Sequence, residues 1–338
     1  MNTLTLSDLG WSDHFARQLN GAIPYRVSQV HRASVTVLSE AGEHHFSAPM
    51  GTGAIAVGDW VTAVEDTIDH VLTRQSVLER RTAGSDVKLQ LIAANVTTLA
   101  IVTSCNADFN EARLERYLVL AAEAGCLPLI VLTKADQCDD ARAYQIKAER
   151  LSPLVTALAI NAKDPDEVER LSPWVKSGDT LALVGSSGVG KTTLRNALTG
   201  QSAATQDIRE DDARGRHTTT ARAMVQTKLG GWLIDTPGMR ALRLSGASDG
   251  ISAVFEDLEE LAATCRFNDC AHETEPGCAI QSAVQDGSID QARLKRWRKL
   301  VTEEERNTET IAQARARDKG FGKMVKGAVA QKKGRRGP

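Results

Sequence analysis

The segment Gly185–Thr192, GSSGVGKT, follows the apolar run DTLALVG and opens the stretch KTTLRNAL. Strand, glycine loop and helix in that order leave few folds available. The glycines let backbone N–H groups turn inward at a helix N-terminus, so the loop is suited to cradling phosphate. Lys191 is placed to reach the outer phosphates, and the Thr192 hydroxyl to bind Mg²⁺. The expected phosphate site is Gly185, Ser186, Ser187, Gly188, Val189, Gly190, Lys191, Thr192 and Thr193. The runs TTLAIVTS, LPLIVLT and LVTALAI are apolar throughout and alternate with helical stretches such as NEARLERYLVLAAEAG. That alternation predicts a parallel sheet covered by helices on both faces.

Further motifs gather around this unit in an unusual order. Downstream, WLIDTPG puts Asp235 at a strand end, suited to the Mg²⁺ shell, with the Gly238 N–H suited to the third phosphate. Between lies RGRHTTTARA, where Thr218, Thr219 and Thr220 are all candidates for Mg²⁺; the expected site set carries Thr219. Upstream, TKAD ends the strand LPLIVLT, where a base-reading loop belongs in an α/β sheet. The Asp136 carboxylate can accept from guanine N1–H and N2–H₂, donors that adenine lacks there. Lys134 packs its stem along the base, and Thr133 stands where Asn is more usual. INAK supplies a second base loop, with Asn161 in place of Ser and the Ala162 N–H facing guanine O6. The order is base loop, second base loop, phosphate loop, first switch, second switch, which is a circular permutation of a GTPase domain. Domain termini often lie close together, so such a cut is permissible. It also makes the second switch lead directly into whatever follows, and nucleotide state is expected to couple to that part.

The flanks carry different chemistry. Up to about Arg81, the runs YRVSQV, ASVTVLSE, HHFSAP and GDWVTAVED read as short strands broken by turns, which predicts a small barrel with an OB-fold as leading candidate. Near the other end, CRFNDCAHETEPGC brings Cys265, Cys270, His272 and Cys278 together, the ligand set of a closed structural zinc site. Cys105, Cys126 and Cys138 lie in or beside the α/β region and are expected to be packing residues. A charged helix is expected from near Asp290. The domains expected are an RNA-binding OB-fold over 1–83, a permuted GTPase domain over 84–246, a helical zinc-binding domain over 247–318 and a basic tail over 319–338.

Composition excludes some classes. The chain has 338 residues, 42% of them hydrophobic, and six cysteines, too few for a disulfide scaffold of this length. No apolar run approaches the ~18 residues of a membrane span, and the N-terminal stretch lacks signal-peptide character. A cytoplasmic, monomeric protein with no membrane or DNA partner is the expectation. The net charge of −2 hides a gradient, because beyond Ile311 nine lysines and arginines face only Asp318. That tail is either a polyanion-binding arm or a solvated end.

With these motifs in hand, the chain resembles the circularly permuted, ribosome small-subunit-dependent GTPases of the RsgA (YjeQ/EngC) family. The resemblance rests on AVGDW (56–60), NADFN (106–110), LERYLVLAAEAG (114–125), TKAD, GSSGVGKTTL, GRHTTT, DTPGMR and the C…CAHETEPGC pattern, and it covers nearly the whole chain. It departs at Thr133, at Asn161 and in a short barrel loop around Met50–Ile55. The resemblance implies GTP/GDP with Mg²⁺, one Zn²⁺, and GTP hydrolysis stimulated by the small (30S) ribosomal subunit during its late maturation, with contacts to 16S rRNA. Met239 follows Gly238, where ordinary GTPases carry a water-orienting glutamine. His217 is the candidate for that task, the alternative being a solvent-facing loop histidine. Two other readings compete: an RNA-binding module regulated by nucleotide, and a P-loop kinase, which Asp136 and the two-switch layout disfavour.

Overall fold

The structure is a computed structural model that describes residues 4–48, 51–81, 89–153, 155–201, 223–235 and 246–308. After a short helix α1 (Asp13–Ala16), five strands close into a barrel: β1 (Tyr25–Val30), β2 (Ser34–Ser39), β3 (Gly42–Ser47), β4 (Trp60–Val64) and β5 (Thr67–Val71). Their order is β1-β2-β3-β5-β4, with β4 returning antiparallel onto β1, as in an OB-fold. Alternation along the strands sends Val27, Val35, Val37, Phe46, Val61 and Ile68 into its core. The run Thr67–Val71, passed over by the sequence reading, is the strand that closes the barrel.

A two-stranded ribbon, β6 (Val77–Arg81) and β7 (Leu89–Ala94), leads out of the barrel. Then come β8 (Thr98–Ser104), α2 (Glu111–Glu123), β9 (Leu127–Thr133), α3 (Ala141–Glu149), β10 (Thr156–Ala159), α4 (Pro165–Glu169), β11 (Thr180–Gly185), α5 (Lys191–Thr199), β12 (Met224–Gln226) and β13 (Trp232–Asp235). Six of these strands form a sheet in the order β10-β9-β8-β11-β13-β12, parallel except for β12 at one edge. β8 and β11 are fully buried, which is why their sequences are apolar without alternation. α2 begins where the Asn110 side chain accepts from Arg113 N and closes at Gly125, whose φ of 71° needs glycine.

The AVGDW segment joins the barrel to the end of the ribbon strand β7. Gly58 has φ 92°, and a Cβ there would sit 2.1 Å from the Ala94 carbonyl oxygen, so only glycine fits. Ala94 N donates to Val57 O at 2.9 Å, and Asn95 Nδ2 to Gly58 O at 3.0 Å. Asp59 is fully buried and takes a fork from Arg74, at 2.6 and 2.8 Å, together with the Ala56 N–H at 2.7 Å. Burial pushes its carboxyl up, against these hydrogen bonds. Beside it, the buried Arg26 guanidinium donates to Leu9 O, to Asn95 O at 3.2 Å and to the Thr180 hydroxyl of β11 at 2.7 Å. Burial lowers Arg26 to about 10, against the opposing charge of Asp59.

Two compact units result. Among the described residues, the second holds 246–252 and 256–308. It includes the first residues of α6 (Ser248–Val254) and all of α7 (Glu256–Ala263), α8 (Ala279–Gln285) and α9 (Gln291–Thr308). Its core is small: Leu258, Ile280, Ala283, Leu294, Trp297 and Leu300 are its main buried side chains. Arg293 on α9 forks onto Asp257 of α7 at 2.8 and 3.0 Å. No described helix is long and apolar enough to cross a membrane.

Candidate nucleotide and metal sites

Parallel strands deliver their following loops to one edge of a sheet, and TKAD, INAK, the phosphate loop and Asp235 arrive there. β8 and β9 run in register with Ser104 opposite Thr133, and β11 and β13 with Leu183 opposite Asp235. The phosphate loop therefore rises from the centre of the sheet, beside the base loop. Gly185 has φ 140°, and a Cβ there would lie 2.1 Å from Val102 O of β8; the close passage of the two backbones requires glycine. Gly188 and Gly190 follow with φ of 79° and 89°. Ser187, Gly188 and Thr192 are exposed and accessible to a ligand, while Val189 anchors the loop in the core. The Lys191 ammonium caps the carbonyls of Gly185, at 2.9 Å, and Ser186.

The base loop is bound to the phosphate loop directly. Thr133 is buried, and its hydroxyl lies 2.5 Å from Val189 O and 3.1 Å from Thr103 O. Its hydroxyl thus ties the base loop to the phosphate loop from beneath. Lys134 has a left-handed backbone, φ 58°, and its ammonium donates to Gly188 O at 2.9 Å. Asp136 is exposed in the short turn Ala135–Gln137 that follows. The second base loop abuts the first through Ala135 N, which donates to Ile160 O at 3.3 Å. Asn161 is held by its own turn: its N–H donates to Glu167 Oε2 at 2.8 Å and its side-chain oxygen accepts from Lys163 N at 3.0 Å. Ala162 is buried beside it, next to a cavity of ≈430 Å³ whose lining includes Lys163, Val168, Thr193 and Leu198.

Two arginines at this edge were not anticipated from sequence. Arg113, in the first turn of α2, donates to the Ser186 hydroxyl and to Asp108 O at 2.5 Å. Arg195, on α5, lies 3.1 Å from Asp235 Oδ2. The available signal for the second was its spacing: Arg195 is three residues after Thr192 and shares its helix face. His217, Thr218, Thr219, Thr220, Gly238, Met239 and the basic tail lie outside the described residues.

In the second unit, Cys265, Cys270, His272 and Cys278 present ligand atoms all within 4.8 Å of one another. His272 Nδ1 lies 3.5 Å from both Cys265 Sγ and Cys278 Sγ, and those two sulfurs are 3.9 Å apart. A tetrahedral zinc with Zn–S of ~2.3 Å and Zn–N of ~2.0 Å requires about 3.8 Å between sulfurs and about 3.5 Å between sulfur and nitrogen. The donor set and its spacing therefore fit zinc. Cys278 caps α8 and its sulfur accepts from Gln281 N at 3.4 Å. Burial opposes ionisation of Cys265, but backbone N–H groups of Ala279 and Ile280 outweigh it and lower its pKa. Burial lowers His272, favouring the neutral imidazole a metal needs. His272 adopts φ 56°, and Gln281 Nε2 donates to its carbonyl at 2.6 Å, which fixes that turn. Of the remaining cysteines, Cys105 and Cys126 are buried in the first unit as expected, and Cys138 is half-buried.

Comparison with known proteins agrees with this geometry. The family described as RsgA GTPase matches residues 71–245. The small ribosomal subunit biogenesis GTPase RsgA of Mesorhizobium japonicum is 50% identical over 316 residues, covering 90% of this chain and 91% of its own. The small ribosomal subunit biogenesis GTPase RsgA 2 of Vibrio parahaemolyticus is 44% identical over 337 residues, covering 98% and 94%. In fold, the chain is similar to YjeQ from Thermotoga maritima, with TM-score 0.60, 24% identity and coverage of 83% and 98%. It is likewise similar to YloQ, described as a circularly permuted GTPase, with TM-score 0.59, 24% identity and coverage of 89% and 99%.

Proposed function

The chain belongs to the RsgA GTPase family, and from that premise we propose that it hydrolyses GTP during late maturation of the small ribosomal subunit, which stimulates the reaction. The observation that carries the reading is the convergence of TKAD, INAK, the phosphate loop and Asp235 on one sheet edge, in permuted chain order. Such an edge can hold guanine at one end and a triphosphate at the other.

Asp136 accepts from the guanine edge, and its exposure leaves it free to do so. Lys134 covers the base, and Ala162 offers its N–H to guanine O6. The loop from Gly185 to Thr193 surrounds the phosphates, and Lys191 swings from the loop carbonyls onto the outer two. Thr192 and Asp235 would hold Mg²⁺, which would neutralise charge on those phosphates. Thr219 and Gly238 complete the shell around the third phosphate. Attack by water in line with the bond to the leaving oxygen yields GDP and phosphate. Met239 has no group to orient that water, so the unassisted reaction is slow; His217 orients it when the ribosomal subunit is bound.

The barrel, the zinc-bound helical unit and the basic tail provide contacts to 16S rRNA. Their cations suit a phosphate backbone. The protein works as a cytoplasmic monomer.

The test is steady-state phosphate release from GTP and from ATP, with and without purified small ribosomal subunits. Release from GTP should rise by roughly 10²-fold or more with subunits, and ATP should not be turned over. A GTP rate indifferent to the subunit would replace this reading with a nucleotide-regulated RNA binder.

A further inference from the structure

The reaction described above makes no use of Arg195, yet the fold places it on an acidic group central to that reaction. α5 carries Thr192 and Arg195 three residues apart, on neighbouring positions of one helix face. β13 lies beside β11, whose loop leads into α5, so the helix brings Arg195 over the end of β13. There Arg195 Nη1 meets Asp235 Oδ2 at 3.1 Å. The two side chains are 25% and 37% exposed, so the pair is partly shielded from bulk water. A guanidinium keeps its charge at any working pH.

We propose that Arg195 is a built-in counter-cation for Asp235 that holds Mg²⁺ affinity low and GDP release fast. This rests on the reading of Asp235 as a member of the Mg²⁺ shell. A carboxylate paired with a guanidinium has less negative potential to offer a divalent ion, and the fixed positive charge repels that ion across a short distance. The effect is reciprocal: whatever the ion pair subtracts from Mg²⁺ binding, Mg²⁺ subtracts from the ion pair. Mg²⁺ held by Thr192 and Asp235 would help retain the nucleotide, so weak retention of the ion would translate into early loss of GDP. The device needs no exchange partner, because it lies within the helix that opens the phosphate site.

The full chain loaded with a fluorescent GDP analogue tests this, by following analogue release while Mg²⁺ is titrated. Arg195→Gln should lower the half-effective Mg²⁺ concentration by roughly tenfold and slow release at sub-saturating Mg²⁺. Arg195→Lys, which keeps the charge, should stay near the wild type. An unchanged or raised half-point in Arg195→Gln, or a Lys variant that shifts like the Gln variant, overturns the proposal. Asp235→Asn separates the two layers. If it abolishes the Mg²⁺ dependence while Arg195→Gln changes nothing, only the role of Arg195 fails. If Mg²⁺ dependence survives in Asp235→Asn, the placement of Asp235 fails and takes the inference with it. Thermal melts of each variant confirm that the protein remains folded.

Discussion

The nucleotide edge and the cysteine–histidine cluster both hold reactive groups at fixed separations, but they depend on different sources of order. At the nucleotide edge, each loop is the continuation of a buried parallel strand. Val102, Val131, Leu183 and Leu233 pack in one apolar core beneath the site, and backbone contacts such as Gly185 against Val102 fix the loops. In the second unit, Cys265, Cys270 and His272 come from the connection between two short helices, and Cys278 from the first residue before α8. Few apolar side chains are buried around them. The first site is preorganised by the fold and awaits its ligand. The second, with its small apolar core, is expected to owe its order to a bound metal. A parallel sheet spreads the cost of order over many residues, whereas a small helical unit concentrates it in a metal.

The most severe way to break this comparison is to remove the metal. Structural zinc contributes an apparent ~10–16 kcal/mol in small domains. Chelation, or Cys265→Ser combined with Cys278→Ser, should unfold α7–α9 and expose them to protease, with loss of helical circular dichroism. GTP affinity of the first unit should remain within about twofold of the intact protein, given additivity of distant sites. Loss of GTP binding alongside the helices would show that the nucleotide edge is not self-sufficient.

A smaller effect, confined to ligand recognition, is expected at the base loop. Asp136→Asn should cut the preference for GTP over ATP by roughly 10³–10⁴-fold, since the specific loss is that of an acceptor for two guanine donors. Competition binding with both nucleotides measures it, and an unchanged preference would place base selection elsewhere. Lys191→Ala should lower subunit-stimulated kcat by about 10²–10³-fold, as loss of a phosphate-directed charge does in comparable sites. Its melting temperature should fall only slightly, because the ammonium serves part-buried loop carbonyls that the glycine loop already holds in place.

The mildest change sharpens the notion of a preorganised edge. Thr133→Val keeps the shape of the side chain but removes the hydroxyl that ties the base loop to Val189 O. The buried carbonyl then loses a donor, at a cost of about 1–3 kcal/mol. The expected signature is a lower melting temperature with weaker GTP affinity, the guanine-over-adenine ratio being preserved. A changed ratio would return Thr133 to the role of a direct base contact.

Much of this molecule is legible in its residue order because its signals are local. The continuous apolar strands, the Asn110 cap and Gly125 stop of α2, the glycines of the phosphate loop and the fourteen-residue ligand run each act within a few residues. Local steric and hydrogen-bond chemistry suffices to read them. β5 was missed because TIDHV carries only weak alternation, and its strand state comes from closing the barrel against β4. The contacts of Thr133 were hidden for a similar reason. Its position in TKAD suggests a ligand contact, whereas the tie of its hydroxyl to Val189 O, 56 residues away, comes only from the fold.

By itself, then, the sequence determined the kinds of chemistry present, the permuted order of the motifs, and the donor set of the metal cluster. All are properties of neighbours along the chain. Only the tertiary structure decided that Arg26 links Leu9, Asn95 and Thr180, that Arg113 reaches Ser186, and that Arg195 sits on Asp235. These contacts join distant segments through long, flexible cationic side chains whose partners are chosen by geometry. A guanidinium donates to any well-placed oxygen, and which oxygen is within reach is settled by strand order and register in the folded protein.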